Sequence, residues 1–362
     1  MKVVHVTRPV TGGVGAVVRQ LVVGQRRRGW TVDVVCPAGW LADRLAGTGV
    51  GVHDWPATRS PGPSTVAEAL RLKRIIDALD PDAVHLHSSK AGLAGRLVLR
   101  GRRPTVFQPH MWAFECADGP MGRLSALWER LASRWTHQLV CVSDDELASG
   151  RAIGIRTAAE VVCNGVDTEA LRPRSRVAAR RRLGLPDVPT AVCIGRLAPL
   201  KGQDQLLAAW PSVVAAVPDA QLVLVGDGPM RDRWREIGDH ESVRWWGHDT
   251  AVADFYTAAD VVVLPSRAEG MALVPLEAMA SGRAVVAFDV GGVRQSVGEA
   301  GAVVEPGDVR ALARAVAARL ADPVLAAGEG LAGRERAELL FDVGRVGDQV
   351  ANLVEKLAGG PR

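Results

Sequence analysis

Short β-branched runs alternate with longer stretches of mixed polarity along the whole chain. Lys2–Thr7, Thr31–Cys36, Ala83–His87 and Thr105–Gln108 are near-continuous apolar runs, the pattern of strands buried on both faces. Between them 14–28, Thr65–Leu79 and the segment from Ala91 onward read as helices, with a glycine-rich turn at 11–15 after the first strand. A helical stretch follows over 119–135, then apolar runs at 139–143 and 161–162. Strands resume at Thr190–Ile194, Gln221–Val225, Val243–Gly247, 260–264, Ala284–Phe288 and 303–305. Helices are expected at 203–217, at 251–258, from Asp308 onward, and last at 342–357. Regular strand–helix alternation in both halves predicts doubly wound α/β domains, which take ligands at the carboxyl ends of their strands.

The stretch 259–292 is the densest in chemistry. A strand leads into a loop, a short helix and a second strand, with Pro275 suited to the first helical turn and Gly282 to the stop. Two carboxylates frame the unit, Glu269 in the loop and Glu277 expected in the first turn, where the helix dipole favours an acid. Upstream, Arg196 and Lys201 flank another strand-to-helix loop, so two cations and free helix amides can meet one anion.

The first half offers three more candidates. The Gly12-Gly13-Val14-Gly15 turn permits close backbone approach to a phosphate or sugar, or serves only packing. In the run 87–92, Ser88 and Lys90 at a helix start suit an anionic or polyhydroxyl ligand, while Ser88 or Ser89 as a plain cap is the alternative. His110 follows its strand directly.

The spacing E-x7-E, with Gly270 after the first Glu, LEAMASG around the second and a Gly pair after the next strand, resembles the signature of retaining nucleotide-sugar glycosyltransferases of family 4. G-R-L-x-x-x-K-G from Gly195 is similar to that family's diphosphate-binding loop, and Asn164-Gly165-Val166-Asp167 to its interdomain segment. The resemblance implies a GT-B fold, with two Rossmann-like domains facing across a cleft. The expected divisions are an acceptor-side domain at 1–168, a nucleotide-sugar-binding domain at 169–341, and a segment 342–362 returning to the first domain.

By the same resemblance, Glu277 holds the ribose, while Glu269 and the amides of Gly270, Met271, Ala272 and Leu273 hold the sugar and distal phosphate. Arg196 and Lys201 stabilise the leaving diphosphate. Gly226, Asp227 and His248 lie near the nucleoside, Gly13 and Gly15 near the donor phosphate or sugar. Ser88, Lys90 and His110 stand on the acceptor side, His110 beside the transferred sugar and assisting the chemistry. Met111 departs from the glycine that follows this His in the family.

With Arg196 and Lys201 placed by the resemblance on the leaving diphosphate, where a metal ion would otherwise stand, the expectation is a metal-free reaction without a resident cofactor, UDP being the first expectation for the donor nucleotide. Acceptors in polysaccharide, lipid-linked glycan or natural-product assembly all fit. A hydrolysing nucleotide-sugar epimerase and a non-catalytic nucleotide-sugar binder are the rival readings. A dinucleotide oxidoreductase is disfavoured because the first glycine turn is not G-x-G-x-x-G.

Composition narrows this only slightly. The chain of 362 residues has room for two cores, and 48% hydrophobic with 23% charged residues is ordinary for a soluble protein. Net charge +4 suits anionic partners, yet no basic block is long enough to demand nucleic acid. Five cysteines without C-x-x-C spacing read as small core residues of a reducing compartment. No signal-peptide pattern or membrane-spanning run is visible, so a cytoplasmic protein is expected, with arginine-bearing 119–135 and 172–182 as candidates for peripheral contact with an anionic inner membrane face.

Overall fold

A computed structural model of the protein describes residues 1–117, 119–249 and 251–359; the last three positions of the expected segment 342–362 lie outside them. The chain divides into two compact units, Met1–Gly165 with Val343–Arg362, and Val166–Asp342.

Unit 1 is built from β1 (Lys2–Thr7), α1 (Gly12–Arg27), β2 (Thr31–Cys36), α2 (Trp40–Leu45), β3 (Gly51–Asp54), α3 (Thr65–Leu79), β4 (Ala83–His87), α4 (Ser88–Leu99), β5 (Thr105–Gln108), α5 (Gly119–Ala132), β6 (Gln138–Cys141), α6 (Asp144–Ala152) and β7 (Ala159–Val161). The strands form one parallel sheet in the order β3-β2-β1-β4-β5-β6-β7. Every residue of β4 and β5 is buried, as strands covered by helices on both faces must be. Helix α1 buries Val17, Val18, Leu21, Val22 and, on the same stripe, the polar Gln25.

Unit 2 runs α7 (Arg176–Arg182), β8 (Thr190–Ile194), α8 (Gln203–Ala216), β9 (Gln221–Val225), α9 (Arg231–Ile237), β10 (Val243–Gly247), α10 (Val252–Ala258), β11 (Val261–Leu264), α11 (Leu273–Ala280), β12 (Ala284–Phe288), α12 (Val293–Val297), β13 (Gly301–Val304), α13 (Val309–Ala321) and α14 (Pro323–Leu340). Its parallel sheet has the order β10-β9-β8-β11-β12-β13. In both sheets the strand order reverses once, between β1 and β4 and between β8 and β11, which is where an open α/β sheet leaves room for a ligand. The final helix α15 (Val343–Ala358) rejoins unit 1, burying Val346, Val350, Leu353 and Val354, with Asp348 2.6 Å from Arg28 at the end of α1.

Several expectations are corrected. Helix α1 begins at Gly12, not Val14, because Gly12 takes φ +66° and turns the chain straight into the helix. Helix α4 begins at Ser88, so Ser88 and Lys90 are helical rather than loop residues. No side chain caps it. Glu277 lies in the second turn of α11, not the first. Cys36, Cys141 and Cys193 are buried, but Cys116 is exposed and Cys163 only partly covered.

Candidate functional site

In unit 2 the loops at the carboxyl ends of β8, β9, β11 and β12 are locked together by glycine. Gly202 takes φ +65° and a Cβ there would sit 1.9 Å from the Pro265 carbonyl oxygen; Gly291, at φ +51°, would meet the Glu269 oxygen at the same distance. Gly226 and Gly228 leave no more room against Gly195 and Leu197, at 2.0 and 2.3 Å. Backbones at such distances exclude any side chain, so these glycines set the loop geometry that the functional groups inherit. Arg267 adds a clamp, pairing with Asp204 at 2.6 Å and donating to the Pro199 carbonyl.

On this platform Lys201 and Glu269 meet, Nζ to Oε1 at 2.6 Å, and the Ser266 hydroxyl donates to the same oxygen at 2.6 Å. Glu269 is not a solvated loop residue, since its side chain keeps 10% exposure. Arg196 projects exposed from the loop after β8, with no ion-pair partner among the described residues. One carboxylate against two cations leaves the loop cluster net positive beside two helix starts, those of α8 and α11, that no side chain caps. That combination favours an anion carrying more than one charge.

Glu277 accepts a hydrogen bond at Oε2 from the Tyr256 hydroxyl at 2.5 Å. Burial holds its carboxyl above the ordinary range, with the tyrosine pulling the other way. Tyr256 was missed by sequence reasoning, although as the only tyrosine of the chain it offered a signal. Gly270, Met271 and Ala272 are buried and lead into Leu273 at the start of α11; the Gly292 amide donates to the Gly270 carbonyl at 2.7 Å. Gly226 stands at the end of β9. Asp227 is exposed, paired with Arg231 at 2.9 Å, and the Gly228 amide holds its carboxyl below the ordinary range. His248 is exposed just beyond β10.

In unit 1, exposed Gly13 lies in the first turn of α1, and Gly15 is buried where a Cβ would come within 2.9 Å of the Val10 backbone, so Gly15 serves close packing. Ser88 is partly covered and takes φ +65°. Lys90 is not presented to a ligand: it is 4% exposed, pairs with Glu68 at 2.6 Å, and donates to Thr58, Ser60 and Thr65. Its charge is spent on fastening the 58–65 segment to α4.

His110 is buried with φ +63°, a strained value for a non-glycine residue, so the unusual backbone falls on the His itself. Trp112, whose indole donates to the Glu146 carbonyl at 2.6 Å, anchors the segment. Behind His110 lies a group of buried histidines that sequence reasoning missed, although His85 and His87, two apart on a strand, had to share a face. Burial pushes His110 down to about 3 and His5 to about 4, and holds His85 and His87 well below the ordinary value. Ring nitrogens of His5, His85 and His87 lie within 4.8 Å of one another, the spacing of a metal site. His5 and His87, however, already face each other at 2.9 Å across a hydrogen bond, which uses a lone pair that a metal would need.

Comparison with known proteins follows the same division. Residues 11–170 match the family described as Glycosyltransferase Family 4, and 188–322 the one described as Glycosyl transferases group 1. The chain is 34% identical over 343 residues to the GDP-mannose-dependent alpha-(1-6)-phosphatidylinositol monomannoside mannosyltransferase of Mycolicibacterium smegmatis, covering 88% of this chain and 86% of that one. It is 31% identical over 361 residues to the protein of the same name from Mycobacterium tuberculosis, covering 90% of each. Among solved structures it shares its fold with sucrose-phosphate synthase from Thermosynechococcus elongatus (TM-score 0.86, 24% identity, 99% of each chain) and with Anabaena HepE in complex with UDP and glucose (TM-score 0.85, 23% identity, 98% of this chain and 99% of that one).

Proposed function

This chain belongs to glycosyltransferase family 4 and transfers a sugar from a nucleotide-sugar donor; on that premise we propose that it moves mannose from GDP-mannose to a lipid-linked acceptor, with retention at the anomeric carbon and without a metal ion. The nucleotide and sugar in this reading come from the relatives, which are named as GDP-mannose-dependent mannosyltransferases, and replace the uridine nucleotide expected from sequence.

The observation that carries the chemistry is the Lys201–Glu269 pair beside exposed Arg196. Two cations and the uncapped starts of α8 and α11 stabilise charge on a departing diphosphate, the role a metal fills elsewhere. Glu269, held by Lys201 and Ser266, orients sugar hydroxyls. Support for retention comes from His110, the one base expected on the acceptor side: burial pushes it down to about 3, which makes it a poor proton acceptor at neutral pH. The leaving diphosphate then takes the acceptor proton on the face it departs from. Proton NMR of the product formed from GDP-α-mannose in EDTA is expected to show an α-linkage. A β-linked product defeats retention, an absolute Mg²⁺ requirement defeats the metal-free reading, and release of free sugar alone points to hydrolysis.

An anionic membrane surface is the second partner in this reading. Helix α5 turns Gly122, Glu129 and Ala132 inward, where Glu129 pairs with Arg96 at 2.7 Å, and leaves Met121, Leu124, Leu127 and Leu131 exposed outward. Exposed Arg123, Arg130 and Arg134 accompany that stripe. No helix among the described residues is long and apolar enough to cross a membrane, so the fit is to a helix lying in the interface. Phosphatidylglycerol vesicles are expected to bind the protein more tightly than phosphatidylcholine vesicles. Serine at 121, 124 and 127 should weaken that binding by about tenfold or more. Equal sedimentation of parent and variant with anionic vesicles would refute the assignment.

A further inference from the structure

The chain has one tyrosine, and its hydroxyl donates to a carboxylate of the candidate site. Tyr256 stands on α10, which packs on β8, and Glu277 on α11, which packs on β11, so the pair meets where the strand order of the unit 2 sheet reverses. The tyrosine ring is fully buried, with Cys193 of β8 nearby. Glu277 is only half-buried: its Oε2 is taken by the tyrosine, while its Oε1 stays open.

The tyrosine fixes the direction of this bond. Burial and the neighbouring carboxylate hold its hydroxyl well above the ordinary value, so it stays protonated and donates, and Oε2 accepts. A glutamate on a helix otherwise turns about its side-chain torsions, and stilling it on binding costs affinity. One bond from a ring packed on all sides removes that freedom before a ligand arrives. The carboxylate so held keeps lone pairs on Oε1 and on the free side of Oε2, which suits two neighbouring hydroxyl donors.

We propose that Tyr256 is a positioning residue for the nucleotide: by holding Oε2 of Glu277 it sets the carboxylate for the two ribose hydroxyls, and so makes the site select ribonucleotides over their deoxy forms. This rests on the reading of Glu277 as the ribose ligand. Tyr256, Glu277 and the loop cluster at Arg196, Lys201 and Glu269 all belong to unit 2. The ribose takes no part in the bond exchange, so its contacts are equal in the bound donor and the transition state. Loss of the tyrosine hydroxyl should therefore appear in donor KM and leave kcat alone.

The test is isothermal titration of the full-length protein with GDP and UDP, each against its 2′,3′-dideoxy form, the base that binds carrying the comparison. The parent should prefer the ribonucleotide by about ten- to hundredfold, and Glu277→Ala should lose that preference. Tyr256→Phe should bind the dideoxy form as the parent does, which shows an intact site, while its preference for the ribonucleotide falls about three- to tenfold and donor KM rises by the same factor. Because Tyr256 is the only tyrosine, parent protein labelled with ¹³C at tyrosine Cζ gives one signal. That signal should move with the ribonucleotide and stay in place with the dideoxy form, a measurement that covers the case of Tyr256→Phe failing to fold. A Tyr256→Phe preference equal to the parent's, or a Cζ signal that responds alike to both nucleotides, overturns the proposal and leaves Glu277 at the ribose. If Glu277→Ala still prefers the ribonucleotide as the parent does, the reading of Glu277 falls and the role of Tyr256 falls with it.

Discussion

Lys201→Ala should lower kcat by about 10²- to 10³-fold, the loss typical of removing one preorganised group that stabilises charge growing in the transition state. The ammonium is already in place, 2.6 Å from Glu269 and 32% exposed, so no reorganisation is needed when the diphosphate departs. KM should change less than kcat, since the charge that Lys201 answers is greater in the transition state than in the bound donor. The substitution also takes the ammonium from Glu269, whose side chain is 10% exposed, and leaves it the Ser266 hydroxyl. A thermal melt of the variant therefore accompanies the kinetics: a large fall in kcat with an intact fold assigns the effect to chemistry, and an unchanged kcat removes Lys201 from it. Arg196→Ala, which breaks no ion pair among the described residues, should give the same pattern without the cost in stability.

The second large effect is on nucleotide affinity. Glu277→Ala should weaken binding of the free nucleotide by about 1.5–3 kcal/mol, the value of hydrogen bonds to a charged group. Tyr256→Phe keeps the carboxylate but frees it from the hydroxyl that holds Oε2, and should cost about 0.5–1.5 kcal/mol. Isothermal titration separates the two. If Glu277→Ala binds as the parent does, Glu277 is not a ribose ligand and its contact with Tyr256 is structural alone.

Strands were legible in the sequence because most of them are buried along nearly their whole length. β1, β2, β4, β5, β8, β9, β10 and β12 begin and end where the apolar runs do, each flanked by a turn residue. Helix starts were less so. In α1 and α4 the first turn is made of Gly, Ser and Lys, residues that read as loop until Gly12 or Ser88 adopts a positive φ and turns the strand directly into a helix. Short edge elements such as α2 and β3 are half exposed and carry no long pattern. Arg196, Lys201 and Glu269 in their loops, and Glu277 in α11, could be singled out because their residue types recur at a fixed spacing. Partners across the sequence were not: Tyr256 with Glu277, Lys90 with Glu68, and above all His5 with His87, which only the pairing of β1 with β4 brings together.

The return of α15 to unit 1 has a consequence for synthesis on the ribosome. The residues that complete this unit leave the exit tunnel only after all of Val166–Asp342 has been made, an interval of roughly 10–35 s at ordinary elongation rates. During that wait the nascent first half holds open the apolar seat later filled by Val346, Val350, Leu353 and Val354. The half translated first is therefore the half that matures last, and a chain truncated before Val343 leaves it permanently unfinished.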